Sequence, residues 1–170
     1  MTKAQRTVAL GALSGIVSML LGVYLLSLII PVPEFADSLA SRIAYGLQAN
    51  VLALVPLLIM IITVGNERFL SEAIDPTRHV ESSRMEVDGR VVENTLQQQV
   101  LFFIASLALS TVIPFAYLNV LYASAIVYVL ARVVFWKGYR IHPLFRAPGM
   151  AATGYLNLGL ILTSLYFIFL

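Results

Sequence analysis

Arg132-Val133-Val134-Phe135-Trp136-Lys137-Gly138-Tyr139-Arg140-Ile141-His142-Pro143-Leu144-Phe145-Arg146-Ala147-Pro148-Gly149 joins two apolar runs. It holds four of the chain's eleven Lys and Arg, its only Trp, and a turn rich in Gly and Pro. Residues 95–131 before it and 150–170 after it carry no charged side chain. Cations gathered where two membrane spans meet call for an anionic partner: phospholipid headgroups, facing carboxylates or an acidic ligand.

Working outward, composition sets the class. Apolar residues make up 59% of the 170 residues, charged ones 12%, and the mean hydropathy is +0.88. These values lie outside the balance of a soluble domain, so the chain reads as an all-α integral membrane protein. Its length allows a few spanning helices and no large private cavity, which directs any sizeable site to the space between subunits. The isoelectric point of about 9.0 reflects cations at the membrane edge rather than a nucleic-acid footprint. With no cysteine, disulfides, thiolate metal ligands and cysteine nucleophiles are excluded, and no metal site is expected.

Lys3 and Arg6 precede a charge-free run over residues 7–30. The run is long enough to span a hydrocarbon core of roughly 30 Å and too long for a signal h-region of about 7–15 residues, so an uncleaved anchor is expected. Gly11, Gly15 and Gly22 fall near one helical face. They read either as a packing face or as the glycine ordinary in membrane helices. Pro31 and Pro33 end this helix, and residues 1–42 form the anchor and its linker.

Residues 43–170 read as a second unit. Its first span covers about 43–65, with a kink expected at Pro56 and Asn50 expected to hydrogen-bond between helices. Residues 66–94 alternate acids with Arg68, Arg78, Arg84 and Arg90 and read as a solvated loop. The run 95–131 is too long for one span and suits two helices turning near residues 114–118. Five spans result. If the N-terminus is cytoplasmic, ten of the eleven Lys and Arg lie on the cytoplasmic side and only Arg42 lies outside.

Two constellations share that side. Arg90, Asn94 and Gln97 stand at i, i+4 and i+7 on one helical face, and read either as polar residues solvated at a helix entrance or as a fork and two amides suited to carboxylate and peptide groups. Arg132, Phe135 and Tyr139 share another face, with Arg146 beyond Pro143. The plain alternative is snorkelling of Arg132, Lys137 and Arg140 to headgroups, with Trp136 and Tyr139 as interfacial anchors. A charge as deep as Arg132 costs a few kcal/mol unless it is paired or near the interface.

Arg90-Val91-Val92-Glu93-Asn94-Thr95-Leu96-Gln97-Gln98, then an apolar helical pair, then Gly138-Tyr139 and Arg146-Ala147-Pro148, resembles the membrane-associated proteins in eicosanoid and glutathione metabolism, the MAPEG family. It is similar in particular to a bacterial branch pairing Asn-Thr-x-Glu-Gln with Arg-x-x-Phe-Trp-x-Gly-Tyr and Arg-Ala-Pro-Gly. The resemblance covers about residues 47–170. It implies a four-helix bundle preceded here by one extra helix, assembled as a homotrimer in the bacterial inner membrane, with glutathione between subunits on the cytoplasmic side. By the same resemblance Arg90, Asn94 and Gln97 hold the glutathione peptide, Tyr139 and Arg132 line its site, and Arg146 turns its thiol into a thiolate. Phe135 stands where the family's leukotriene-forming synthases carry a tyrosine that contacts glutathione, and Gln97 stands where the family carries an acid.

A cation about 4 Å from a thiol sulfur, at an effective dielectric of about 20, contributes up to roughly 4 kcal/mol, or about three pKa units. The nucleophile then comes from the ligand, as suits a chain without cysteine. Two classes follow. One is a glutathione-dependent transferase or peroxidase acting on lipophilic electrophiles or hydroperoxides; the other is a non-catalytic relative that binds lipid or a partner protein, which Gln97 favours. A transporter fits poorly, since no acid lies inside a span.

Overall fold

Five helices carry the apolar runs: α1 (Lys3–Ile29), α2 (Leu39–Phe69), α3 (Ser83–Val112), α4 (Val120–Ile141) and α5 (Ala147–Phe169), in a computed structural model that describes residues 1–34, 37–78 and 80–170. Each is long and apolar enough to cross a membrane, and no strand occurs among the described residues. The protein is therefore an all-helical integral membrane protein, with α2 to α5 forming a four-helix bundle and α1 added outside it. Within the bundle α3 and α4 touch each other, and each packs on both α2 and α5.

Small residues let the backbones approach. Ala49, Ala53, Ala123 and Ala125 are fully buried around Phe102, Leu121 and Tyr128. Because lipid is as apolar as the core, polar contacts add specificity between helices. Asn50 Nδ2 donates to Ser106 Oγ across α2 and α3 at 2.8 Å, as expected from the sequence. Asn157 Nδ2 donates to the Gln98 carbonyl at 3.0 Å and to its Oε1 at 2.9 Å, tying α5 to α3. Helix α2 is continuous through the buried Pro56.

Two helix limits differ from the sequence reading. The stretch 66–94 is mostly helical: α2 runs on to Phe69, α3 begins at Ser83, and among the described residues short 3-10 turns at Glu72–Ile74 and Pro76–Arg78 lie between. Charges paired across helices carry these extensions. Arg68 pairs with Glu81, Arg84 Nε lies 3.2 Å from Glu67, and Ser82 caps α3 by accepting from the Met85 amide. The linker after α1 is also shorter, because Ser38 and Ser41 form a capping box that starts α2 at Leu39. Arg42 is thus helical, and its guanidinium donates to the carbonyls of Ser110 and Ile113 at the end of α3. Those are carbonyls that a helix end leaves without partners.

The glycines of α1 form a packing face. A Cβ on Gly15 would stand 2.1 Å from the Pro148 carbonyl oxygen, one on Gly11 3.2 Å from Ala147 Cβ, and one on Gly22 3.0 Å from Val127 Cγ2. Otherwise α1 is held lightly, for only Gly15 and Met19 are buried on it. Gly15→Ala is therefore expected to lift α1 off α5 while α2 to α5 stay folded, at about 1–3 kcal/mol of overpacking. Gly11→Cys with Ala147→Cys should form a disulfide, and adding Gly15→Ala should cut its yield severalfold. An undiminished yield would contradict the contact.

Candidate functional site

The turn between α4 and α5 is built on two close backbone approaches. His142 is extended, its Nδ1 accepts from the Leu144 amide at 3.2 Å, and Pro143–Arg146 form a 3-10 turn leading into α5. A Cβ on Gly138 would stand 2.3 Å from the Phe145 carbonyl oxygen, so only glycine lets the turn fold back onto α4. A Cβ on Gly149 would stand 2.4 Å from both the Ala131 carbonyl oxygen and the Phe135 nitrogen. The two glycines bring Arg146 back over Tyr139, with its guanidinium carbon 4.6 Å from the ring centroid.

One layer deeper lies Arg132, which is enclosed rather than snorkelling. It has no exposed surface, and among the described residues it donates to neutral acceptors alone: Asn94 Oδ1 at 3.0 Å, Thr95 Oγ1 at 2.7 Å and Thr153 Oγ1 at 3.1 Å. Its guanidinium also sits 4.0 Å over the Phe135 ring, while its Nε has no partner among the described residues. The two threonine hydroxyls can accept because each spends its own proton on its helix, Thr95 on the Val91 carbonyl and Thr153 on that of Gly149. Arg132 thereby joins α3, α4 and α5 and fixes the Asn94 amide, whose Nδ2 has no hydrogen bond among the described residues. Phe135 continues the contact to Tyr139, edge to face at 5.9 Å.

The structure thus connects Asn94, Arg132, Tyr139 and Arg146 in one train of contacts at the end of the bundle that holds the N-terminus of α1. Arg90 and Gln97 lie exposed on α3, and among the described residues neither side chain bonds to that train. Arg146 is likewise exposed and free of ion pairs among the described residues. A cavity of about 430 Å³ lies against Tyr139, lined also by Arg84, Arg140 and Pro143. Arg90, Asn94, Gln97, Arg132 and Arg146 are not part of its wall, so this cavity takes in only Tyr139 of the six residues expected at the site.

Trp136 and Arg140 turn inward, where an interfacial anchor and a snorkelling cation were the plain expectation. Trp136 Nε1 and Arg140 Nε each donate to Asp88 Oδ1 at 2.8 Å, and Asp88 is 1% exposed. Arg140 also stacks 4.5 Å over the Trp136 ring and lies 3.9 Å from Glu67 on α2. This is a paired charge cluster joining three helices beside Tyr139. Lys137 stays exposed, as does part of Arg140.

Thr95, Thr153 and Asp88 were not singled out from the sequence. A signal existed for the first two, since a buried arginine requires acceptors and threonines are the polar residues that spans tolerate best. Asp88 gave none, because its partners lie about fifty residues away along the chain. Gly149→Ala tests the close crossing. A methyl there forces α4 and α5 apart and stretches the Arg132–Thr153 bond, with an expected loss of at least about 1–3 kcal/mol. A detergent melting curve matching wild type would rule that out.

Among known proteins, the chain is similar to Transmembrane protein 79 of Mus musculus and of Bos taurus, 26% identical to each over 136 residues. That alignment covers 78% of this chain but 34% and 33% of theirs, so the chain spans about a third of the length of these curated relatives. No solved structure matches it. The sequence profile of the MAPEG family matches residues 46–166, covering α2 to α5 almost end to end and leaving α1 outside. With that match over most of its length, the chain belongs to the MAPEG family.

Proposed function

We propose that the protein is a glutathione-dependent membrane transferase or peroxidase acting on lipophilic electrophiles or hydroperoxides. It would work as a homotrimer in a bacterial inner membrane, with the N-terminus and the site on the cytoplasmic side. The observation that carries this reading is the exposed Arg146, free of ion pairs among the described residues, stacked on Tyr139 next to an Asn94 amide held in place by Arg132.

The residues suit glutathione, which carries two carboxylates, an ammonium group and amides. Arg90 and Arg146 are cations without an ion pair among the described residues, and Asn94 Nδ2 and Gln97 offer amide contacts. Gln97 cannot pair with the ammonium, but Glu93, exposed beside Asn94 and without an ion pair among the described residues, supplies a carboxylate on the same turn. The exposure of Arg90 and Gln97 on α3 fits a site completed by a neighbouring copy. In this site Arg146 faces the sulfur and favours the thiolate, whose lone pair attacks the electrophilic carbon and forms the C–S bond. The leaving group departs with its electron pair and the thiol proton passes to water.

The second reading is a non-catalytic member that binds lipid or a partner protein, favoured by the amide of Gln97 at the family's acidic position. Titration of the detergent-purified protein with glutathione separates the two. Saturable binding with the ultraviolet absorbance of a thiolate is expected; absence of both removes the enzyme reading. Binding seen only in Gln97→Glu would mark an enzyme that has lost its ligand. A monomer by mass in detergent would remove the shared site.

A further inference from the structure

At the opposite end of the bundle, a groove of about 510 Å³ separates α1 from α5, within the range of about 300–1,000 Å³ common to small-molecule sites. Its rim faces the bilayer, with Tyr24 62% and Tyr155 51% exposed, while its floor of Leu109 and Ser124 is almost fully buried. No charged side chain lines it. Asn119 gives both amide protons to α1, to the carbonyls of Ser27 and Ile30 at 2.8 Å each, and so ties α1 down as one wall.

Ser124 is the anomaly in this groove. The other buried serines, Ser106, Ser110 and Ser164, return their hydroxyl proton to their own helix. The Ser124 hydroxyl, 1% exposed, has no partner among the described residues. An unmade hydrogen bond inside hydrocarbon is unfavourable, so a polar atom entering the groove gains its full strength there. The hydroxyl can donate to an ester carbonyl or accept from an alcohol. The uncharged lining disfavours an ionised headgroup.

We propose that this groove binds a neutral acyl lipid, its apolar body between α1 and α5 and its ester or alcohol group on Ser124. The site stands apart from the glutathione reading and needs neither Arg146 nor a second subunit.

A diazirine-bearing monoacylglycerol added to the full chain in detergent tests it, with labelled positions mapped by peptide mass. Saturable labelling of the groove walls on α1 and α5 is expected, displaced by unlabelled monoacylglycerol and poorly by a fatty acid anion. Ser124→Ala should weaken binding about fivefold, the loss of one neutral hydrogen bond. Gly159 lines the groove, and a Cβ there meets nothing within 4 Å, so Gly159→Leu should fill the space and abolish saturable labelling. Should that variant fail to melt cooperatively, Ser124→Ala, which deletes one buried atom, still decides the matter. Labelling scattered over all lipid-facing helices, persistence in Gly159→Leu, wild-type affinity in Ser124→Ala, or equal competition by the anion would each overturn the proposal.

Discussion

Arg146→Ala is expected to leave the fold and much of the glutathione affinity intact while removing the thiolate. The side chain is exposed, and among the described residues its contact is with the face of Tyr139, so its loss costs the bundle no more than the roughly 0.5–1 kcal/mol of an exposed cation–π contact. Its charge is another matter. A free thiol of pKa near 8.5 is only a few per cent ionised at pH 7. A cation close by that lowers the pKa by up to about three units makes the thiolate the main form. Because the pKa is lowered, the thiolate persists above the shifted value and disappears as pH falls through it. Titration of bound glutathione by ultraviolet absorbance should therefore move from an acidic midpoint in wild type to about 8.5 in Arg146→Ala. Arg146→Lys should fall between, keeping the charge without the planar fork. An unchanged midpoint in the alanine variant would assign the ionisation to another group.

Arg132 should give the largest effect on stability, and two substitutions separate its roles. Arg132→Ala empties a fully enclosed space and leaves Asn94 without its donor, with an expected loss of about 3–5 kcal/mol. Arg132→Met keeps most of the volume and removes a buried charge that has no anion beside it. The threonine hydroxyls retain their bonds to their own helices, so this variant should melt near wild type or above it. Both should bind glutathione several-fold more weakly, because Asn94 is no longer oriented. If Arg132→Met unfolds as readily as Arg132→Ala, then the guanidinium's bonds hold the bundle and its volume does not.

The contrast between these two arginines reflects what a sequence exposes. Long charge-free runs set the five spans, and the i, i+4 spacing of Gly11 and Gly15 marked the face on which α1 meets α5, since both signals are local. The turn near residues 114–118 was equally local and appears as the 3-10 turn Phe115–Tyr117. The helical character of residues 66–94 was not legible, because alternating charges look solvated until Glu67 meets Arg84 and Asp88 meets Arg140 in space. For the same reason Trp136 reads as an interfacial anchor when its indole in fact spends its proton on a buried carboxylate. The motif residues drew attention to Asn94, Tyr139 and Arg146, but the order of contacts among them passes through Arg132 and Phe135. The unpartnered hydroxyl of Ser124 had no signature at all: nothing in the spacing of a serine tells whether its own helix satisfies it.

The enclosure of Arg132 also bears on how the chain enters the membrane. Arg132 lies about 18 Å along α4 from its first residue, at 1.5 Å per residue, and a lone helix with an arginine at such depth pays about 2.5–3.5 kcal/mol to leave the translocon. Its acceptors come from α3, made earlier, and from α5, made later. Helix α4 therefore gains from staying beside α3 during synthesis. Thr153 on α5 arrives last and closes the ring of acceptors, so release into lipid favours the completed bundle over its parts.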